Sequence, residues 1–127
     1  DIAMFTLASN SIMQAIVRAK RRGIPVRLVH NNGNTESVFP FMQQVKANDI
    51  DLKFIAGRTP KGLLHNKFGL FDGKLLITGS FNWTNNAENS SFENAIFTTD
   101  TDLLKAFKAE FIKIYRLARP SGAATTK

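Results

Sequence analysis

Within its first 30 residues the chain changes hydrophobic period twice, and no other feature narrows the fold as far. Ile2-Ala3-Met4-Phe5-Thr6-Leu7 is a nearly unbroken apolar run that reads as a buried strand. Ile12, Met13, Ile16, Val17 and Ala19 then recur at helical spacing, with Ser9 and Asn10 as N-cap candidates and Gly23 as a stop. Pro25-Val26-Arg27-Leu28-Val29-His30 returns to a strand pattern. Strand, helix and strand in so short a space form a βαβ unit, so the two strands are expected to lie parallel.

The remaining segments extend that unit. Asn31-Asn32-Gly33-Asn34 is a loop at the carboxyl end of the second strand, where ligands of α/β sheets gather. The pattern predicts a helix from Ser37 to Ala47, a strand from Leu52 to Ala56, and a basic, turn-rich loop from Gly57 to Gly62. Leu63–Phe71 and Lys74–Thr78 read as strands joined through Asp72-Gly73, a strong hairpin signal. Gly79 to Ser91 is polar and irregular, with one helical turn after Thr84, and Asn94–Thr98 is another strand. Asp100 is expected to cap a last helix with the apolar stripe Leu103, Leu104, Phe107, Phe111, Ile114 and Tyr115. The fold expected is one α/β domain over residues 1–117, a mixed and mostly parallel sheet flanked by helices, followed by a flexible tail over 118–127.

Composition limits the function. The chain has 127 residues, 17 Lys and Arg against 10 Asp and Glu, and a net charge of +7. Basic clusters attract phosphates and release their counterions, so a polyanion is the expected partner. An anionic lipid surface would satisfy the same field. Arg18, Lys20, Arg21 and Arg22 crowd the end of the first helix, where they complement its negative terminus. Cysteine is absent, which excludes disulfides, thiolate zinc sites and a cysteine nucleophile. No apolar run approaches the roughly 20 residues of a membrane helix, and no signal peptide is visible. The chain opens at Asp1 rather than Met, so location stays open. A periplasmic or membrane-anchored location is open if an N-terminal segment has been removed, and a cytoplasmic one is expected otherwise.

Several familiar chemistries are missing. His30 and His65 are the two histidines, and neither has another four residues on. The acidic pairs Asp49/Asp51 and Asp100/Asp102 belong to a turn and a helix start, where acids serve structure. There is no Walker loop and no G-x-S-x-G elbow. No metal and no other cofactor is expected.

What carries chemistry is the stretch from His65 to Asn82. On a strand, His65 and Lys67 project from one face, while Asn66, Phe68 and Leu70 point the other way. An imidazole beside an ammonium with no acid between them is a poor structural pair and a good phosphate site. Lysine brings charge, and imidazole brings a nucleophile or base. Gly79 permits close backbone approach, and Ser80 and Asn82 supply neutral donors.

His65, Lys67, Asp72, Gly79, Ser80 and Asn82 fit the pattern H-x-K-x4-D-x6-G-S-x-N without a gap. In this the chain resembles the phospholipase D superfamily, and Gly79-Ser80-Phe81-Asn82-Trp83-Thr84 is most similar to its compact single-motif members. These are the bacterial endonucleases and the Zucchini-like nucleases. The upstream strand, helix, Arg-Arg-Gly and strand and the later Phe92-Glu93-Asn94 also fit, so the resemblance covers most of Ile2 to Tyr115. Zucchini-type members carry a Cys/His zinc insertion, which a chain without Cys lacks, and this favours the bacterial type.

The resemblance implies hydrolysis of phosphodiesters without metal. His65 would attack phosphorus and form a covalent phosphohistidine. A second histidine from a second motif would protonate the leaving oxygen and then activate water. With one motif per chain, a homodimer with a shared site is implied. Lys67 and Asn82 would hold the non-bridging oxygens, assisted by Ser80. Glu93 matches the carboxylate that bonds the other imidazole nitrogen. Asp72 fits the pattern, yet a hairpin turn favours Asp on its own account.

Arg58 and Lys61, in the loop feeding the catalytic strand, are candidate substrate contacts. So are His30, at a strand end on the functional side, and Trp83, which serves equally as a packing anchor. The net charge, this basic loop and the want of an amphipathic membrane-docking stretch favour nucleic acid, single-stranded DNA or RNA, over membrane lipid. The reading is a non-specific endonuclease. Its alternatives are a cardiolipin-type phospholipid hydrolase and a catalytically silent nucleic-acid-binding module.

Overall fold

The computed structural model describes residues 1–33 and 35–120. In chain order the elements are β1 (Ile2–Met4), β2 (Leu7–Ala8), α1 (Asn10–Arg21), β3 (Arg27–Asn31), α2 (Thr35–Ala47), β4 (Asp51–Ile55), β5 (Lys67–Phe71), β6 (Leu75–Gly79), β7 (Trp83–Thr84), α3 (Asn85–Asn89), β8 (Ala95–Thr98), α4 (Thr101–Leu117) and β9 (Arg119–Pro120). The main sheet has the order β8-β6-β5-β1-β3-β4-β9, and β2 and β7 form a small second sheet.

The βαβ reading holds: β1 pairs with β3 in parallel, with Ile2 opposite Leu28 and Met4 opposite His30. β3 pairs with β4 in parallel. The flanking pairs β1·β5, β5·β6, β6·β8 and β4·β9 are antiparallel. The sheet is therefore mixed, and β1, β3, β4 and β6, four of its seven strands, run the same way.

Period-2 alternation divides the core between two faces. Ile2, Met4, Leu28 and Leu52 meet Met13, Ile16 and Val17 of α1 and Val38, Met42 and Val45 of α2. Ala3, Val29, Phe68 and Leu76 meet Phe111 and Ile114 of α4. α1 starts where expected, because Ser9 Oγ accepts from the Ile12 amide, a cap worth about 1 kcal/mol. Gly23 stops it in the left-handed region, at φ 87°. Asp100 caps α4 by accepting from the Leu103 amide. Asp72 and Gly73 take φ 56° and 66° at the centre of the tight turn that joins β5 to β6, where the Lys74 amide donates to the Phe71 carbonyl.

Several boundaries differ from expectation: the strand expected from Leu63 begins only at Lys67, β3 runs Arg27–Asn31 rather than from Pro25, and α2 begins at Thr35 rather than Ser37. The first strand ends at Met4, because the chain turns at Phe5-Thr6 and Leu7–Ala8 pairs with Trp83–Thr84 instead. The tail does not begin at 118. Ala118 is buried, and Arg119 and Pro120 pair with Phe54 and Lys53, closing the sheet edge. The rest of the expected tail, 121–127, lies outside the described residues, as does Asn34 of the expected loop.

The carboxyl end of β3 is polar and buried. His30 is completely enclosed. Its Nε2 accepts from the Leu7 amide at 3.0 Å, so Nδ1 carries the proton and donates to the Asn31 carbonyl at 2.8 Å. Burial lowers its pKa below the usual 6.5, against the opposing pull of the Asn31 carbonyl. The unfolded chain then binds a proton more readily than the folded one, so stability falls as pH drops through 6.5. The slope is at most about 1.4 kcal/mol per pH unit from this group. Urea unfolding at pH 7.5 and 5.5 is expected to show a smaller loss on acidification for His30→Gln than for the parent. Equal losses would refute the assignment.

Candidate active site

The strand order brings five separate segments to one end of the sheet. β5 runs against β1, so its first residue Lys67 lies opposite Met4, where β1 ends. β6 ends at Gly79, which pairs with Ala95 at the start of β8. Phe5, His65, Lys67, Ser80–Asn82 and Glu93 therefore share the carboxyl end of the parallel strands, where β3 ends at Asn31.

His65 precedes β5 rather than standing within a strand, yet it still meets Lys67. The Lys67 ammonium donates to the His65 carbonyl at 2.8 Å and lies 3.1 Å from its Nδ1 and 3.3 Å from its Nε2. The Phe5 ring stands beside both, 4.8 Å from the His65 ring and 5.3 Å from Lys67 Nζ. Two hydrogen bonds fix this segment: the Phe5 amide donates to the Asn66 carbonyl at 2.9 Å, and the Leu64 amide to Asn31 Oδ1 at 2.9 Å. Burial pulls the Lys67 pKa below the usual lysine value, while the Glu93 carboxylate pushes it back.

Ser80 and Glu93 form a clasp across the sheet edge. Ser80 Oγ donates to Glu93 Oε1 at 2.6 Å and accepts from the Asn94 amide at 3.0 Å. The Ser80 amide donates to the Asn94 carbonyl at 2.9 Å. Gly79 makes this possible: a Cβ there would lie 2.1 Å from the Asn94 oxygen and 2.8 Å from Ala95 Cα. The glycine thus serves backbone approach, as its position suggested. Asn82 follows, with its Oδ1 buried and without a hydrogen-bond partner. Behind it, Trp83–Thr84 anchors to Leu7–Ala8, and Thr84 caps α3. Glu88 of α3 accepts from Ser9 and Ser11, tying α3 to the start of α1.

His65, Lys67, Ser80, Asn82 and Glu93 are brought to the same end of the sheet, and the exposed Arg58 and Lys61 lie in the loop that leads to His65. Three expected residues are placed otherwise. Asp72 sits in the turn at the opposite end of β5, five residues beyond Lys67 and roughly 16 Å away at strand rise. His30 is enclosed and its ring is committed to the backbone, so it offers nothing to a substrate. Trp83 is buried against Phe71, 6.4 Å between stacked rings, and is a packing anchor. Glu93 differs in partner, since its carboxylate takes the Ser80 hydroxyl rather than the His65 ring. Phe5 and Asn31 escaped sequence reading. Phe5 passes as one more apolar residue of a strand, and only the turn after Met4 turns its ring toward His65. Asn31 looks like loop polarity, although an Asn at the end of a parallel strand is a recognisable place for a side chain to hold a loop amide.

An imidazole, an ammonium, a hydroxyl, a carboxamide and a carboxylate at one end of an α/β sheet are groups able to hold and attack a phosphoryl centre. Among the described residues, no three His, Cys, Asp or Glu side chains converge as metal ligands would. No helix among them is long and apolar enough to cross a membrane.

Residues 1–115 match the family model for the phospholipase D-like domain of cardiolipin synthase, and the chain belongs to this phospholipase D-like family. It is 32% identical over 121 residues to a mitochondrial cardiolipin hydrolase of Chlamydomonas reinhardtii, covering 91% of this chain and 50% of that protein. It is 30% identical over 103 residues to a phospholipase D of Rickettsia prowazekii, covering 81% of this chain and 49% of that one. The chain thus spans about half the length of the curated relatives it matches. In three dimensions it is similar to Nuc, a phospholipase D family member of Salmonella typhimurium, with a TM-score of 0.84, 28% identity, and coverage of 93% of this chain and 78% of Nuc. NucT of Helicobacter pylori shares the fold, with a TM-score of 0.82, 24% identity, and coverage of 93% and 79%.

Gly79→Ala tests the clasp. The substitution is expected to cost about 1–3 kcal/mol of stability in urea unfolding, because backbone on both sides must shift. It should also weaken tungstate binding in calorimetry. Unchanged stability and binding would show that β6 and β8 do not need their close approach.

Proposed function

We propose that the chain is a metal-independent phosphodiesterase, and in the first place a non-specific endonuclease of DNA or RNA. The observation that carries the reading is the exposed His65 ring held against the Lys67 ammonium, with the Ser80–Glu93 clasp and Asn82 beside it. A phosphate arriving there draws the ammonium onto a non-bridging oxygen and releases the ring nitrogen. The nitrogen attacks phosphorus, a P–N bond forms, and the P–O bond to the leaving alcohol breaks. The leaving oxygen takes its proton from a second imidazole. Water then attacks the phosphohistidine and gives that imidazole a proton, and the P–N electron pair returns to His65. Lys67 and Asn82 stabilise the charge that builds on the phosphoryl oxygens.

Within this chain His30 is enclosed and engaged, so the proposal assigns the second imidazole to a second copy. Self-association is supported by an apolar cleft of about 660 Å³ between α1 and strands β5, β6 and β8. Ile12, Ile16, Ile77, Phe81 and Phe97 line it, and it reaches Lys67 and Gly79. A two-fold axis passing at the Lys67–Gly79 end of this surface would set two such sites next to one another. Sedimentation is expected to give twice the chain mass; an active monomer would remove the shared site.

Nucleic acid is favoured by the net charge of +7 and by the exposed Arg58 and Lys61 beside the site. Cardiolipin is the second reading, favoured by the names of the curated relatives. Assays in EDTA against single-stranded DNA, duplex DNA, RNA and cardiolipin vesicles separate them. Turnover is expected to persist in chelator and to fall by about 10³-fold or more in His65→Ala. Binding without cleavage by the parent would leave a silent binding module instead.

A further inference from the structure

A second cleft, of about 490 Å³, adjoins the site on the side of α2 and α3. Asn82 and Glu93 stand on its wall, and Ser37, Thr84, Asn86 and Ser91 belong to its lining. No Lys or Arg lines it, and its apolar residues are Ala8 and Ala87. A second phosphate calls for cations, and an acyl chain or a stacked base calls for apolar or aromatic walls. This cleft offers hydroxyls and carboxamides instead.

Ser80 engages the Glu93 carboxylate at Oε1 and leaves Oε2 as an acceptor, while Asn82 Oδ1 is enclosed and without a partner, so that a turn of its carboxamide brings it to a ligand. A phosphodiester brings no donor to such groups, whereas a free hydroxyl does. A hydroxyl also accepts, so it serves the Asn82 carboxamide whichever way its broad terminal torsion turns it.

We propose that this cleft holds the alcohol esterified to the phosphate and selects for a free hydroxyl on the carbon next to the ester carbon. The inference rests on the phosphodiesterase reading and names the group next to the scissile bond. Ribose carries such a hydroxyl, as does the central glycerol of cardiolipin; deoxyribose does not.

The experiment reads binding, so that it does not depend on turnover. His65→Ala is titrated in EDTA with one oligonucleotide sequence in ribose, deoxyribose and 2′-O-methyl form, by fluorescence anisotropy. Cardiolipin vesicles and vesicles of the analogue lacking the central hydroxyl form a second arm. The hydroxylated member of at least one arm is expected to bind roughly 10-fold tighter, with the 2′-O-methyl form behaving as deoxyribose. Adding Ser37→Ala and Asn86→Ala should reduce that margin to about two-fold or less. A margin confined to oligonucleotides marks ribose as the occupant, and one confined to vesicles marks glycerol. Equal binding in both arms, or a margin that survives the two substitutions, overturns the proposal. Failure of the parent to cleave any of these substrates overturns the phosphodiesterase reading and leaves the binding margin to be judged on its own.

Discussion

Two neighbouring side chains at the end of one central strand hold the site together. His30 and Asn31 are both buried, and each gives its acceptor to a backbone amide from a different loop. His30 takes the Leu7 amide and so fixes the turn that places Phe5. Asn31 takes the Leu64 amide and so fixes the approach to His65. A buried amide without a partner costs roughly 1–3 kcal/mol, so each contact strongly disfavours other arrangements of its loop. The histidine in this pair is a scaffold group, and its ring is occupied at both nitrogens.

The small second sheet extends the same logic. Once Leu7 is fixed by His30, its pairing with Trp83 fixes the chain one residue beyond Asn82. Glu88, through Ser9 and Ser11, then ties the following helix to the start of α1. Ser80 is held from the other direction by Asn94. Residues that are widely separated along the chain are thereby positioned by strand pairing and by polar side chains that hold backbone amides or one another.

This explains which parts were legible in the sequence. The βαβ start, the caps at Ser9 and Asp100 and the Asp72-Gly73 turn are set by local period and local backbone preference, and they appear as expected. His65, Lys67, Ser80 and Asn82 were legible because their spacing crosses one hairpin of fixed register. The same register removes Asp72 from them: a residue at the turn cannot reach the open end of its own hairpin. Phe5, Asn31 and the Glu93–Ser80 clasp depend on which strands become neighbours, and no local pattern encodes that. His30 and Trp83 were ambiguous for a related reason. A polar or aromatic residue at a strand end looks alike whether the next layer covers it or not.

The placement of charge separates attraction from chemistry. The Glu93 carboxylate offsets part of the burial penalty on the Lys67 ammonium, and the formal charges of these two inner groups cancel. A near-neutral centre draws a polyanion weakly from a distance. The long-range field belongs instead to the exposed basic residues, Arg58 and Lys61 among them, acting through a net charge of +7. Salt screens exposed charges within about 10 Å, whereas the inner pair is partly shielded from it. On the proposed chemistry, capture and turnover therefore answer to different residues, and a change in the outer charges alters encounter while leaving the His65–Lys67–Glu93 balance in place.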